Sequence, residues 1–227
     1  MPVRPHRTIR SFVRREGRMT NNQKTAISQL WPKYGVEFSK LPLDLKSLFG
    51  RLAPKNIEIG FGMGDALLAM ASAAPDEDFL GIEVYGPGVG HTLDQADQHA
   101  LHNIRAIQHD AVEILNYQIP DNSIDTFNIF FPDPWHKRRH HKRRLIQPEF
   151  TSLLTQKLKT DGLIRLATDW QNYAEHMLNV LSNTPQLNNT AANQTYAERP
   201  AIRPLTKFER RGQRLGHEVW DLCFIKT

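Results

Sequence analysis

From position 56 onward, short apolar runs alternate with longer amphipathic stretches, and this alternation predicts most of the elements. The runs 56–60 (NIEIG), 78–84 (DFLGIEV), 104–108 (IRAIQ), 123–131 (SIDTFNIFF) and 162–168 (GLIRLAT) have the length and composition of strands. The stretches 65–73, 89–102, 111–116, 148–159 and 170–181 between and after them carry helical spacing. Five strand–helix alternations require right-handed crossovers and a parallel, doubly wound α/β sheet. The run 217–226 (HEVWDLCFIK) is expected as a closing antiparallel strand at the sheet edge, and the polar stretch 182–200 as a long surface loop. Upstream, 22–52 mixes short helical patterns with Pro32 and Pro42 and reads as a lead-in packed on the main domain. The first twenty residues have no hydrophobic period. A flexible basic arm over 1–20 and one domain over 21–227 are therefore expected, with no internal repeat.

A length of 227 residues suits one full-sized domain, and 40% hydrophobic with 23% charged residues is ordinary for a globular chain. No apolar run approaches the ~20 residues of a membrane-spanning helix. The N-terminus lacks the apolar centre of a signal peptide. A single cysteine, Cys223, excludes an internal disulfide framework and a Cys-rich zinc site. A cytoplasmic protein is the expectation.

The net charge of +5 changes meaning when divided along the chain. Residues 1–18, 136–144 and 199–214 together hold eighteen Lys/Arg against two acids, which leaves −11 for everything else. Residues 56–135 are the extreme, with thirteen Asp/Glu and one basic residue, Arg105. Concentrated positive charge attracts a polyanion through counterion release, whereas an isolated basic run is as often a solvated face.

In a doubly wound sheet, ligands bind at the carboxyl ends of the strands. The turn after the first strand places Gly60, Gly62 and Gly64 at alternate positions, which permits a sharp bend and close approach of a ligand. Its spacing is GxGxG rather than GxGxxG. Asp65 opens the next helix where it would repel a pyrophosphate, and Glu58 at the strand end adds negative charge. The pocket therefore favours a ligand with a positive group and no phosphate, a description that S-adenosylmethionine meets. Glu83 ends the second strand, placed to accept ribose hydroxyls, and Asp110 ends the third, placed for the adenine amino group or merely as a helix N-cap. The fourth strand runs into Phe131-Pro132-Asp133-Pro134-Trp135 and then the basic run 136–144. A carboxylate, an aromatic ring and dense positive charge suit a nucleobase held on its phosphate backbone. His136 and His140 lie four apart, but six cations and no partner carboxylate surround them in that run, so no metal site is expected. Asp169, after the fifth strand, reads equally as a site carboxylate or as an N-cap before Trp170.

These motifs resemble the bacterial tRNA (guanine-N7-)-methyltransferases, a Rossmann-like, class I S-adenosylmethionine-dependent family, across roughly residues 20–226. The carriers are IEIGFGMG (57–64), GIEVY (81–85), HDAVEIL (109–115), FPDPWHKRRHHKRR (131–144), ATDW (167–170), TKFERRG (206–212) and GHEVWDL (216–222). The glycine turn alone indicates only a superfamily; PDPWHKRRHHKRR with TKFE is far more specific. The resemblance implies a cofactor site formed by Glu58, Gly60, Gly62, Glu83, Asp110 and Asp133, with the family's catalytic role on Asp133. It implies a guanosine pocket formed by Lys137, Asp169, Thr206, Lys207, Phe208 and Glu209. Arg139, His140, His141, Lys142, Arg143 and Arg144 would then track the tRNA backbone. The implied reaction methylates N7 of a variable-loop guanosine, with no metal, no membrane and no obligate protein partner, in a monomer or homodimer.

Three rival readings stand beside it. A methyltransferase of the same fold acting on rRNA, DNA or protein shares the glycine turn. A non-catalytic RNA-binding relative would have no reason to keep acids at every strand end. A nicotinamide-dependent dehydrogenase is disfavoured by the glycine spacing and Asp65.

Overall fold

The computed structural model describes residues 11–12, 17–205, 209–210 and 218–227. Helix α1 (Asn21–Tyr34) starts at a reciprocal cap: the Thr20 hydroxyl accepts from the Gln23 N–H, and the Gln23 side chain accepts from the Thr20 N–H. A short α2 (Leu45–Phe49) ends at Gly50 in the left-handed region. Alternation then follows with β1 (Lys55–Ile59), α3 (Asp65–Ala73), β2 (Asp78–Ile82), α4 (Gly86–Gln98), β3 (Ile104–Ile107), α5 (Ala111–Tyr117) and β4 (Ile124–Phe130). A 3-10 helix (Arg138–Arg143), α6 (Pro148–Lys157), β5 (Leu158–Thr168), α7 (Gln171–Ser182), β6 (Leu187–Asn189) and β7 (Trp220–Lys226) complete it.

Among the described residues, seven strands form one sheet in the order β3-β2-β1-β4-β5-β7-β6. The pairs among β3, β2, β1, β4 and β5 are parallel, and β7 is antiparallel to both β5 and β6. Strand order therefore reverses between β1 and β4, which opens a crevice at their carboxyl ends. Apolar layers cover both faces. Ile57, Ile59, Ile82 and Phe127 belong to one cluster, and Phe79, Leu67, Val89 and Leu93 to the other. Such two-sided burial is why the central strands read as continuous apolar runs. The lead-in packs as expected, and a bridge between Gly35 and Ala106 sets it beside β3.

Three boundaries differ from the sequence expectation. The stretch 182–200 is not all loop, because Leu187–Asn189 forms β6. The closing strand β7 consequently lies inside the sheet, and β6 takes the edge. A three-residue strand with two asparagines has no period to read, and only Leu187 is buried on it. Helix α4 begins at Gly86, before the expected 89, with Pro87 in its first turn. Its glycines weaken helical propensity but permit contact: a Cβ on Gly88 would lie 1.9 Å from the Gly62 carbonyl oxygen. Finally, α6 passes into β5 at Leu158 without a loop. The resulting bulge, with Leu158 opposite Ile124 but Leu163 opposite Thr126, turns through Asp161 at φ 63°.

Candidate active site

The crevice holds a cavity of about 600 Å³ whose walls come from successive strand ends. The turn after β1 supplies Gly60 and Gly62, β2 supplies Glu83 and Tyr85, β3 leads to Asp110, and β4 to Phe131, Pro132 and Asp133. Among the described residues, its wall carries three carboxylates and neither Lys nor Arg. Gly60, Gly62 and Gly64 have φ of 76°, 57° and 82°, a run of left-handed backbone that side chains disfavour. A Cβ on Gly60 or Gly62 would meet no atom within 4 Å, so the turn presents bare backbone to open space.

The acids differ in environment. Glu83 is buried and held by the backbone: its Oε2 accepts from Gly62 N–H at 2.7 Å, and its Oε1 from Val84 and Tyr85 N–H at 2.7 and 3.0 Å. Burial raises its pKa, these three donors pull it back, and Asp133 adds a further upward push. Glu58 lies beneath the turn, 3% exposed, between Gly81 and Asn128 of the neighbouring strands. Its Oε2 and the Asn128 Oδ1 are buried without hydrogen-bond partners. Burial, reinforced by the charge of Glu83, pushes the Glu58 carboxyl up to about 8. An orphaned acid beside an acidic cavity fits a positively charged ligand, because a cation would repay the cost of ionising it. Asp110 is the N-cap of α5 and accepts from Val112 N–H at 2.9 Å, and it also lines the cavity.

The loop after β4 is strained. Phe131 and Trp135 have φ of 52° and 49°, which for bulky residues costs about 1–3 kcal/mol each. Between them, Asp133 is exposed at the cavity mouth. The loop is tied down by residues further along. Arg143 stacks on Trp135 at 4.1 Å, and the Trp135 Nε1–H donates to the Ser11 carbonyl at 3.1 Å. Arg144 is the surprise. Expected to track tRNA, it is 3% exposed, donates to the Pro134 carbonyl at 2.9 Å and to Asn172 Oδ1 at 2.8 Å, and stacks on Tyr173. It buttresses the loop from behind and is not part of the outer basic surface. Lys137, Arg138, Arg139 and Lys142 are exposed, His140, His141 and Arg143 half-buried. Burial and the surrounding cations hold the His140 pKa below the ordinary histidine value.

Asp169 follows β5 beside Asp133's strand, half-buried. The N-cap of α7 is Trp170 rather than Asp169, and the Thr168 hydroxyl accepts from the Trp170 N–H at 3.2 Å. Thr206, Lys207 and Phe208 lie outside the described residues. Glu209 is buried, where Arg203 grips it through Nη1 at 2.6 Å and Nη2 at 3.0 Å while also pairing with Asp221 at 2.7 and 2.8 Å. Arg203 also lies 5.9 and 5.7 Å from the Phe130 and Phe131 rings, linking this network to the strained loop. Sequence reading did not single out Arg203, whose partners are 6 and 18 residues away with no periodic signal. Nor did it place Ser11, Phe12 and Gly17 on the cavity wall. No helix among the described residues is long and apolar enough to cross a membrane. The described residues also contain no group of three His, Cys, Asp or Glu able to hold a metal ion.

A doubly wound sheet with this strand order, a glycine turn and acids at three strand ends defines a class I methyltransferase domain. The family described as a putative methyltransferase matches residues 53–222. Curated proteins named tRNA (guanine-N(7)-)-methyltransferase are highly similar. The one from Klebsiella pneumoniae is 55% identical, covering 99% of this chain and 94% of its own. The one from Idiomarina loihiensis is 57% identical, covering 96% and 89%. Among solved structures, the 16S rRNA methyltransferase KamB matches with a TM-score of 0.57 at 13% identity, covering 94% of this chain and 97% of its own. The aminoglycoside resistance methyltransferase NpmB1 matches at 0.54 and 15%, covering 81% and 92%; both likenesses concern the fold. The chain belongs to the tRNA (guanine-N7-)-methyltransferase family.

Proposed function

We propose that this chain transfers a methyl group from S-adenosylmethionine to N7 of a guanosine in the tRNA variable loop. The observation that carries the reading is a cavity walled by carboxylates that opens at Asp133, on a loop that leads into and packs against a 3-10 helix built from RRHHKR. A cationic ligand and a polyanion are thereby served at adjoining surfaces of opposite sign. Glu58, Gly60, Gly62, Glu83 and Asp110 would hold the cofactor, whose sulfonium supplies an activated methyl group when bound.

Guanine N7 carries an in-plane lone pair. It forms the new N–C bond while the electrons of the breaking S–C bond stay on sulfur, so no proton leaves the nucleophile. The chain must align N7 in line with the methyl group and stabilise the positive charge that grows on the purine. Asp133 and Asp169, on neighbouring strand ends, are suited to both tasks, and as acceptors for guanine N1–H and the exocyclic amine they favour guanine over adenine. Lys137 and residues 206–208 would complete the guanosine pocket. Glu209, gripped by Arg203, would anchor that segment. Arg139 and Lys142 would hold the phosphates from the exposed face, keeping them outside the acidic cavity. The target base lies in the folded tRNA core and must be turned out to react.

Unmodified tRNA transcript incubated with labelled S-adenosylmethionine, followed by chemical mapping of 7-methylguanosine, tests the reading. Label at a single variable-loop guanosine is expected. Label at another base or none at all would refute it.

A further inference from the structure

Holding a guanine flat beside Asp133 calls for an aromatic surface, and the loop sequence PDPW offers Trp135 first. The structure uses Trp135 otherwise. Arg143 covers its ring at 4.1 Å, the His140 ring meets it edge-on at 6.0 Å, and its N–H is spent on the Ser11 carbonyl. Two aromatic residues are among the large hydrophobics left exposed in the described chain. Tyr117 ends α5, at the opposite edge of the sheet, and packs edge-on against Phe38. The other is Trp170, 39% exposed, one residue beyond Asp169 at the carboxyl edge.

Trp170 is held in place. Its backbone is fixed by the Thr168 cap at the start of α7, and its indole meets the ring of His136 at 4.2 Å with the planes 69° apart. His136 belongs to the loop that carries Asp133, three residues earlier. The indole thus bridges the two strand ends that bear Asp133 and Asp169. We infer that Trp170, oriented by His136, is the aromatic platform on which the target guanine stacks, and so a specificity- and rate-determining residue of the guanosine pocket. The inference rests on the functional reading above. Its chemistry is specific to that reaction: methylation at N7 makes the purine a cation, and an indole face attracts a cation more than a neutral ring. A base stacked there gains attraction as the charge develops, alongside the carboxylates that serve its edge.

The test is steady-state methylation of unmodified tRNA by the full chain and by W170A, W170F and W170L, with cofactor affinity measured separately by equilibrium dialysis of labelled S-adenosylmethionine. W170A is expected to lower kcat/KM for tRNA by about ten- to a hundredfold, the range that base stacking supplies. Its thermal midpoint and cofactor affinity should stay near those of the parent. W170F should recover most of the loss and W170L should not, because a purely packing role would accept leucine as readily as phenylalanine. W170A activity within twofold of the parent, or recovery by leucine equal to that by phenylalanine, overturns the platform. Failure of the unsubstituted chain to form 7-methylguanosine is a separate outcome, which removes the functional reading and the platform with it.

Discussion

The two halves of this site meet at one sheet edge yet are built by different physics. The half formed by β1, β2 and β3 is backbone-made: left-handed glycines, strand ends and three N–H donors converge on Glu83. The half formed after β4 is side-chain-made. Its strained loop keeps its shape because Arg144 supports it from behind and Arg143 packs on Trp135 in front. The first half tolerates a buried carboxyl oxygen without a hydrogen-bond partner, on Glu58; the second sorts its own cations into packed ones, Arg143 and Arg144, and exposed ones. Left-handed glycines and backbone hydrogen bonds fix the first half, whereas the loop after β4 gives each of its supporting side chains a separate job.

The largest effect should fall where the halves join. Asp133→Asn is expected to reduce turnover about 10²–10³-fold, as loss of one preorganised electrostatic contact does, while cofactor affinity stays within a few fold. An unchanged single-turnover rate would take Asp133 out of the reaction. Next comes the division among the arginines. Arg144→Met should cost about 1–3 kcal/mol of stability, read as a lowered denaturant midpoint, because it removes the charge-assisted hydrogen bonds that the buried guanidinium makes to the Pro134 carbonyl and Asn172 Oδ1. Arg139→Met, at an exposed position, should leave the midpoint unchanged. Equal midpoints in the two variants would erase the distinction drawn between them.

Glu58 sharpens the other half. Its folded pKa of about 8 lies above the ordinary 4.5, so the ligand-free fold binds a proton that the unfolded chain has already released. Stability is therefore lost as pH rises between those values, with a slope approaching about 1.4 kcal/mol per pH unit for this one group. Cofactor affinity should move the opposite way and strengthen toward pH 8, since a cation favours the ionised form. Glu58→Gln should flatten both profiles; a variant with undiminished slopes would assign them to another group. The smallest effect belongs to the exposed cations. Neutralising Arg139 or Lys142 should reduce the slope of log affinity for tRNA against log salt by roughly 0.7–0.9 each, with cofactor binding unaltered. A slope that does not move would leave that cation off the phosphate track.

The halves were not equally legible in the sequence. Alternate glycines, acids at strand ends and apolar runs of strand length are local signals, and they placed β1 to β5, the glycine turn, Glu83 and Asp110 close to where they stand. Basic residues at 136–144 look alike in a row of letters. Only packing separates Arg144, 3% exposed, from Lys142 two positions earlier. The same holds for Glu209, whose partner Arg203 also grips Asp221 across the sheet, and for β6, too short and polar to have a pattern. The helix start at Gly86 was hidden because propensity argues against glycines in a first turn, while close packing against Gly62 requires one at Gly88.

The sequence by itself determined the fold class, the sign of charge in each part of the chain and the carboxylates at the strand ends. Each of these follows from periodicity or from residues a few positions apart. Tertiary structure alone decided which acid is buried without a partner, which arginine faces inward and which tryptophan remains open. Those outcomes depend on what another segment, tens of residues away, brings to the same point in space, and no local pattern records that.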